Sequence, residues 1–509
     1  MDWRAPGCLR CGGVPTPGGS YETSGRRSCP HCRPARPRRG VVRATRVALH
    51  LPGYRARREG GLRGHHHRGR GGTAAGAHPH AARDRRIRRG RVAGTGRSAR
   101  RRRGARRLPH DRDRPRGRSH RAEEARAVTP ARACAAAALV LLAAGCERAI
   151  KPGDPLRDLN RVERDRFAQG KVLFDSNFTP ATGLGPLFNS TGCGECHEAP
   201  VKGGRGDEVE VHATAFRNAV CDPLVAEGGF VIQQHTTPAL KQALGIDSEP
   251  FPPSATARAR RTTPVVFGRG LLDAVPESVI LAYADPDDKN HDGISGRPNR
   301  FTDGRIGRFG RKGFVPALDE FNAGAFSAEM GVTNPAVRTE ETIGGKPIPA
   351  GVDPTADPEI DQGQLDLTNA FVRFLAVPTP LKLDRDGRRG RELFSQIGCV
   401  ACHIPTLRTG DSPIAALRNK EFPAYTDLLL HDMGPDLADI CLGLATPSEF
   451  RTEPLIDLRD AKAFLHDGRD TTLEQAVLSH GGEASGARDR FKALPPADRA
   501  ALIAFLKSL

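Results

Sequence analysis

The chain has 509 residues and a formal net charge of +19, long enough for several domains. The charge is unevenly placed: residues 1–145 hold 36 arginines, no lysine and 8 acidic residues, leaving 42 basic against 51 acidic side chains in the remainder. That mildly acidic remainder has no cationic surplus to neutralise phosphates, which excludes nucleic-acid binding by the main body.

Four cysteines open the chain. Cys8, Cys11, Cys29 and Cys32 have the CxxC…CxxC spacing of a zinc ribbon within residues 8–32. They resemble the C-terminal ribbon of formamidopyrimidine-type DNA glycosylases. Arg/Gly/His/Ala-rich text follows over residues 36–126, without the apolar periodicity needed to bury a core. Arg132, the apolar run 135–144 and Gly145-Cys146 then describe a lipoprotein-type signal peptide over residues 128–146. Its apolar run is too short to span a bilayer. A signal of this kind works only at an N-terminus. Translation is therefore expected to begin near Val128, with 1–127 an Arg-rich extension outside the native protein and Cys146 carrying a lipid anchor. The expected location is exported, periplasmic or anchored at the outer membrane.

After a linker at 147–165 the text repeats itself. Gly170-Lys171-Val172-Leu173-Phe174 precedes Cys193-Gly194-Glu195-Cys196-His197, and Gly390-Arg391-Glu392-Leu393-Phe394 precedes Cys399-Val400-Ala401-Cys402-His403. Each unit ends on an amphipathic helix. Leu367, Ala370, Phe371 and Phe374 share one face, as do Leu502, Phe505, Leu506 and Leu509 after Pro495-Pro496. Pro378 and Pro380 mark the joint. The expected fold is mainly α, with two cytochrome-c-like haem domains in tandem (166–380 and 381–509), long loops and little β. Strand-like runs are few, residues 265–267 being one short example.

Two thiols about one helical turn apart reach the two vinyl groups of a haem, and the histidine that follows sits beneath the iron. Cys193, Cys196 and His197 are therefore read as one c-type haem site, and Cys399, Cys402 and His403 as a second. Such attachment takes place outside the reducing cytosol. Further iron ligands must come from His212, His235, His291, His431, His466, His480, Met330 or Met433. Asp288, Asn290 and Asp292 occupy positions 1, 3 and 5 of a calcium-type loop, although its twelfth position is Asn299. Cys221 and Cys441 are left as a disulfide or as two free thiols.

The stretches GLGPLFNSTGCGECH (183–197), RRTTPVVFGRGLLDAVP (260–276), DGISGRPN (292–299), DLLLHDMGPDLAD (427–439) and FLHDGRDTTLEQAVLSHGGEA (464–484) together resemble the bacterial di-haem cytochrome c peroxidase superfamily. The branch is that of the di-haem, or thiol-oxidoreductase-like, oxidoreductases. The resemblance implies His480 as the second ligand to the C-terminal haem iron, with Met433 as its rival. It also implies Glu329 as the carboxylate beside the peroxide-binding N-terminal haem, where it would move a proton between the peroxide oxygens. The superfamily's peroxidases place a tryptophan between the haems, in a segment matching residues 308–312. Here the sole tryptophan is Trp3, so electron hopping would use Phe309, Phe314 or the haem edges. Calcium is a further cofactor that the superfamily suggests. Expected partners are a small oxidant such as peroxide and a redox donor, either a protein or a small electron carrier. Two other functions stay open: a di-haem electron carrier without substrate chemistry, and a haem lipoprotein binding a partner or metal in an uptake system.

Overall fold

The computed structural model describes residues 148–509. The cysteine ribbon, the Arg-rich text, the signal segment and Cys146 lie outside the described residues. Six helices of nine or more residues carry the architecture among those described: α1 Arg161–Phe174, α2 Leu318–Met330, α3 Gln362–Phe374, α4 Arg385–Gln396, α5 Ser485–Ala493 and α6 Pro496–Leu506. Side chains stop the first two members of the repeat from fraying. Asn160 and Glu163 form a capping box on α1, and Asp361 and Gln364 form another on α3. Asp384 caps α4 by accepting from the Gly387 amide, and α6 starts on a proline pre-set for the first helical position.

The repeated Gly-x-x-x-Phe text explains the two helix pairs. Helix α1 crosses α3 at Gly170, where a Cβ would stand 2.0 Å from the Leu367 carbonyl oxygen. Helix α4 crosses α6 at Gly390, where a Cβ would stand 2.0 Å from the Ala501 carbonyl oxygen. Only a glycine lets the two backbones touch there. The phenylalanine one turn later then packs on the partner helix, Phe174 on Phe371 with centroids 4.8 Å apart and Phe394 on Phe505 at 5.4 Å. The expected stripe on α6 is buried along its whole length.

The core crosses the joint at Pro378 and Pro380. Its largest cluster combines Phe167, Phe267 and Phe371 with Leu407, Phe422, Leu428 and Ile456, while a second is confined to residues 393–509.

Strand content departs from expectation. The described chain is mixed, about 33% helical and 14% strand. A four-stranded antiparallel sheet is built on β1 Val209–Arg217, which pairs with β2 Val220–Asp222, β3 Val231–Ile232 and β4 Ala257–Thr262. Its alternation is real, with Val211, Ala213 and Ala215 facing inward. Glu, Arg and Ala fill so many of the other places that the signal is weak in the text. Residues 265–267, by contrast, form no strand. Val265 and Phe267 are buried in the core, and the Val265 carbonyl is taken by the Arg269 guanidinium rather than by a neighbouring strand.

Cys221 and Cys441 form a disulfide across 220 positions, tying β2 to the C-terminal half. Removing such a cross-link releases a long loop in the unfolded chain, at a cost of about 2–5 kcal/mol. Cys441→Ser should therefore lower the urea midpoint clearly, and an unchanged midpoint would show that the bond contributes nothing. No helix among the described residues is long and apolar enough to cross a membrane.

Candidate functional site

Cys193–Cys196 form a single helical turn, closed when the His197 amide donates to the Cys193 carbonyl at 3.0 Å. The second motif repeats this, with His403 donating to the Cys399 carbonyl at 3.0 Å. A phenylalanine from the repeat stands beside each histidine, Phe174 at 6.0 Å from His197 and Phe394 at 6.4 Å from His403. Burial pushes the Cys193, Cys196 and Cys399 thiols up to about 12 and raises Cys402 as well. A redox or nucleophilic cysteine needs the opposite, a thiolate held low. The environment therefore argues against a dithiol catalyst.

The imidazoles share one arrangement. His197 Nδ1 lies 3.1 Å from the Gly204 carbonyl, His403 Nδ1 2.9 Å from that of Tyr425, and His480 Nδ1 2.7 Å from that of Ala476. Burial lowers all three, His403 to about 4. Each ring is thus neutral at pH 7 with its Nδ1 proton donated to the backbone; Nε2 is left as the lone-pair nitrogen in His403 and His480, while the His197 ring also has the Pro264 carbonyl beside it. That is the tautomer a metal-ligating histidine requires. His480 is close enough for its charge to bear on the His403 ring. This donor set, with two thiols at one turn's spacing, fits a covalently held haem iron.

Glu329 stands in the last turn of α2. Its main-chain carbonyl accepts from the Asn189 and Ser190 amides at 2.7 and 3.1 Å, pinning the loop that leads into the first motif. Its carboxylate bears on both Cys193 and Cys196. Burial, with Glu210 nearby, pushes that carboxyl well above the usual range, which favours its protonated form. Sequence alone had offered only the resemblance for this residue.

His431 is committed elsewhere. Its Nδ1 meets Glu483 at 2.7 Å and its Nε2 meets Asp427 at 2.9 Å, and it is buried. Burial alone would lower it, yet hydrogen bonds with Asp427, Cys402 and Glu483 hold it up to about 12. A charged ring with both nitrogens engaged is no iron ligand. His466 is likewise occupied, stacked on Phe450 at 4.2 Å and 3.3 Å from Asp439. Met433 stays in the neighbourhood of His480, since its carbonyl lies against Gly481.

Asp288, Asn290 and Asp292 do gather in one turn, where their oxygens accept the loop's own amides from Asp292, Gly293 and Ile294. Asn299 turns away from that loop. It is buried, and its side-chain amide donates to the Lys312 and Leu442 carbonyls.

Comparison with known proteins adds a family. The model described as "Di-haem oxidoreductase, putative peroxidase" matches residues 240–509, which include the second motif, Glu329 and His480 but begin after the first motif. No curated protein matches the chain. Among solved structures, hydrazine synthase from Kuenenia stuttgartiensis is 14% identical over 72% of this chain and 94% of its own, with a TM-score of 0.33. A MauG-like protein associated with microbial copper homeostasis is 16% identical over 71% and 93%, at 0.32. The diheme peroxidase BthA from Burkholderia thailandensis is 16% identical over 68% and 86%, also at 0.32. Likenesses at that level carry no argument about chemistry.

Proposed function

Because this chain belongs to the di-haem oxidoreductase family, we propose that it is an exported c-type oxidoreductase of peroxidase type. Haem is attached covalently at Cys193 and Cys196 and again at Cys399 and Cys402. One observation carries the reading: His197, His403 and His480 each give Nδ1 to a backbone carbonyl, the arrangement that prepares Nε2 for a metal. His197 and His403 would each hold one iron. His480 would be a further ligand to the C-terminal iron, and the N-terminal site would be the one that takes the substrate.

Bound haem supplies one-electron redox chemistry at an iron. The rest falls to the chain. Reducing peroxide to two waters consumes two electrons and two protons, the electrons from an external donor by way of the C-terminal site. Glu329, buried beside the first motif with its protonated form favoured, would supply a proton to peroxide bound there. The phenylalanines from the repeat and the apolar helix faces keep bulk water from both histidines.

The Cys221–Cys441 disulfide supports export, since such bonds persist in oxidising compartments. A lipid on Cys146 would then hold the protein at a membrane surface.

Peroxide added to the fully reduced protein tests this reading. One equivalent should reoxidise both haems, whereas a failure to react would leave an electron carrier without substrate chemistry. His480→Gly should turn the C-terminal iron high-spin while the N-terminal one changes little. His480→Met should raise that iron's potential, because imidazole is the stronger donor to the ferric state. A spectrum untouched by His480→Gly but altered by Met433→Leu would make Met433 the ligand.

A further inference from the structure

Near the first motif lies a partly buried cluster of charged side chains without a role in the function proposed so far. Glu453 pairs with Arg269 at 3.1 Å, Arg311 at 3.0 Å and Arg451 at 2.6 Å. Arg205 bears on the same carboxylate and also faces Asp457 and Asp460, while Arg459 faces Asp457. Five guanidiniums thus meet three carboxylates, and one of the three, Asp457, is pushed up to about 6 by burial and by Asp460. Four buried nitrogens in this group, Arg205 Nε, Arg311 Nε, and Arg459 Nε and Nη2, have no acceptor. Both Asp457 oxygens are likewise buried without a donor and can serve Arg459, whereas Arg205 Nε and Arg311 Nε remain as costly unpartnered donors that further anionic oxygens would satisfy.

Its position says which. Arg205 follows Gly204, whose carbonyl holds the His197 ring. Thr452 sits between Arg451 and Glu453, and its carbonyl accepts from the Thr426 hydroxyl at 2.6 Å. The Thr426 amide in turn donates to the Ile404 carbonyl, next to His403. The cluster therefore adjoins the segment that holds the His197 ring, and reaches the residue after His403 by way of Thr452 and Thr426. A haem carries two propionate carboxylates, and guanidinium forks match carboxylates bidentately.

We propose that Arg205, Arg269, Arg311, Arg451 and Arg459 receive the propionates of the bound haems, with Glu453 spacing the guanidiniums. This rests on the reading that two haems are attached. The cluster would thereby set the haem potentials, since positive charge beside a propionate favours the ferrous state.

The test uses the holoprotein and its Arg311→Gln and Glu453→Gln variants, each first shown to retain two haems. Arg311→Gln should lower one haem potential enough to change the reduced-to-oxidised ratio at least tenfold, about 59 mV for one electron. It should also shift the propionate-bending bands in resonance Raman. Glu453→Gln should move the potential the other way. Propionate bands that stay put in Arg311→Gln overturn the proposal, whether the potential moves or not, because the cluster would then hold inorganic phosphate or only Glu453. Fewer than two haems on the unaltered chain would instead defeat the functional reading on which the proposal stands.

Discussion

Gly390→Ala should destabilise the C-terminal half by about 1–3 kcal/mol, and most of that range lies within the cost of overpacking a close contact. The new methyl would meet backbone, the Ala501 carbonyl oxygen at 2.0 Å and its carbon at 2.6 Å, with Phe505 Cβ at 2.8 Å behind. No rotamer change relieves a clash with backbone, so α4 and α6 must separate, loosening Phe394 from Phe505. Gly170→Ala should do the same where α1 crosses α3, since Leu367 stands there in the same relation. The control is Gly324→Ala in α2, where a Cβ meets nothing within 4 Å. That change should stabilise by about 0.4–1 kcal/mol through lost backbone entropy of the unfolded chain. Urea unfolding separates the three. Equal effects at positions 390 and 324 would show that the crossing is looser than described.

Glu329→Gln should cut peroxide reduction by about 10²–10⁴-fold, the usual contribution of a positioned proton donor, with haem content unchanged. The amide keeps the shape but has no proton to give. The same residue sets a pH signature. Its folded-state affinity for the proton is raised, so the stability this confers is complete below its unfolded pKa. That stability is lost as pH rises through the folded value, which lies well above the ordinary carboxylate range. The unaltered protein should therefore lose stability and activity together at rising pH, and Glu329→Gln should lose the stability change. A variant as active as the parent would make Glu329 a packing residue.

Contiguity decided what could be read beforehand. Both CxxCH motifs, the Gly-x-x-x-Phe repeat and the stripe on α6 each lie within one short stretch, so spacing alone exposes them. The sheet around β1 was hidden because its partner β4 is Ala-Arg-Ala-Arg-Arg-Thr, whose inward Arg261 ends in an ion pair with Asp439. The pairing of Asp427 with His431 is an i, i+4 relation, but Glu483, the second arm of that clamp, comes from 52 residues further on. Glu453 and its arginines are drawn from four separate segments. Cys221 and Cys441 could be paired only once the sheet was folded against the C-terminal half.

The most direct measurement is the number of haems that stay on the chain through denaturing electrophoresis, for protein made in a host that matures c-type haem. Thioether bonds survive denaturation, so the account predicts two per unaltered chain and one each in Cys193→Ala and Cys399→Ala. Two haems remaining after either substitution, or none on the unaltered chain, would contradict it.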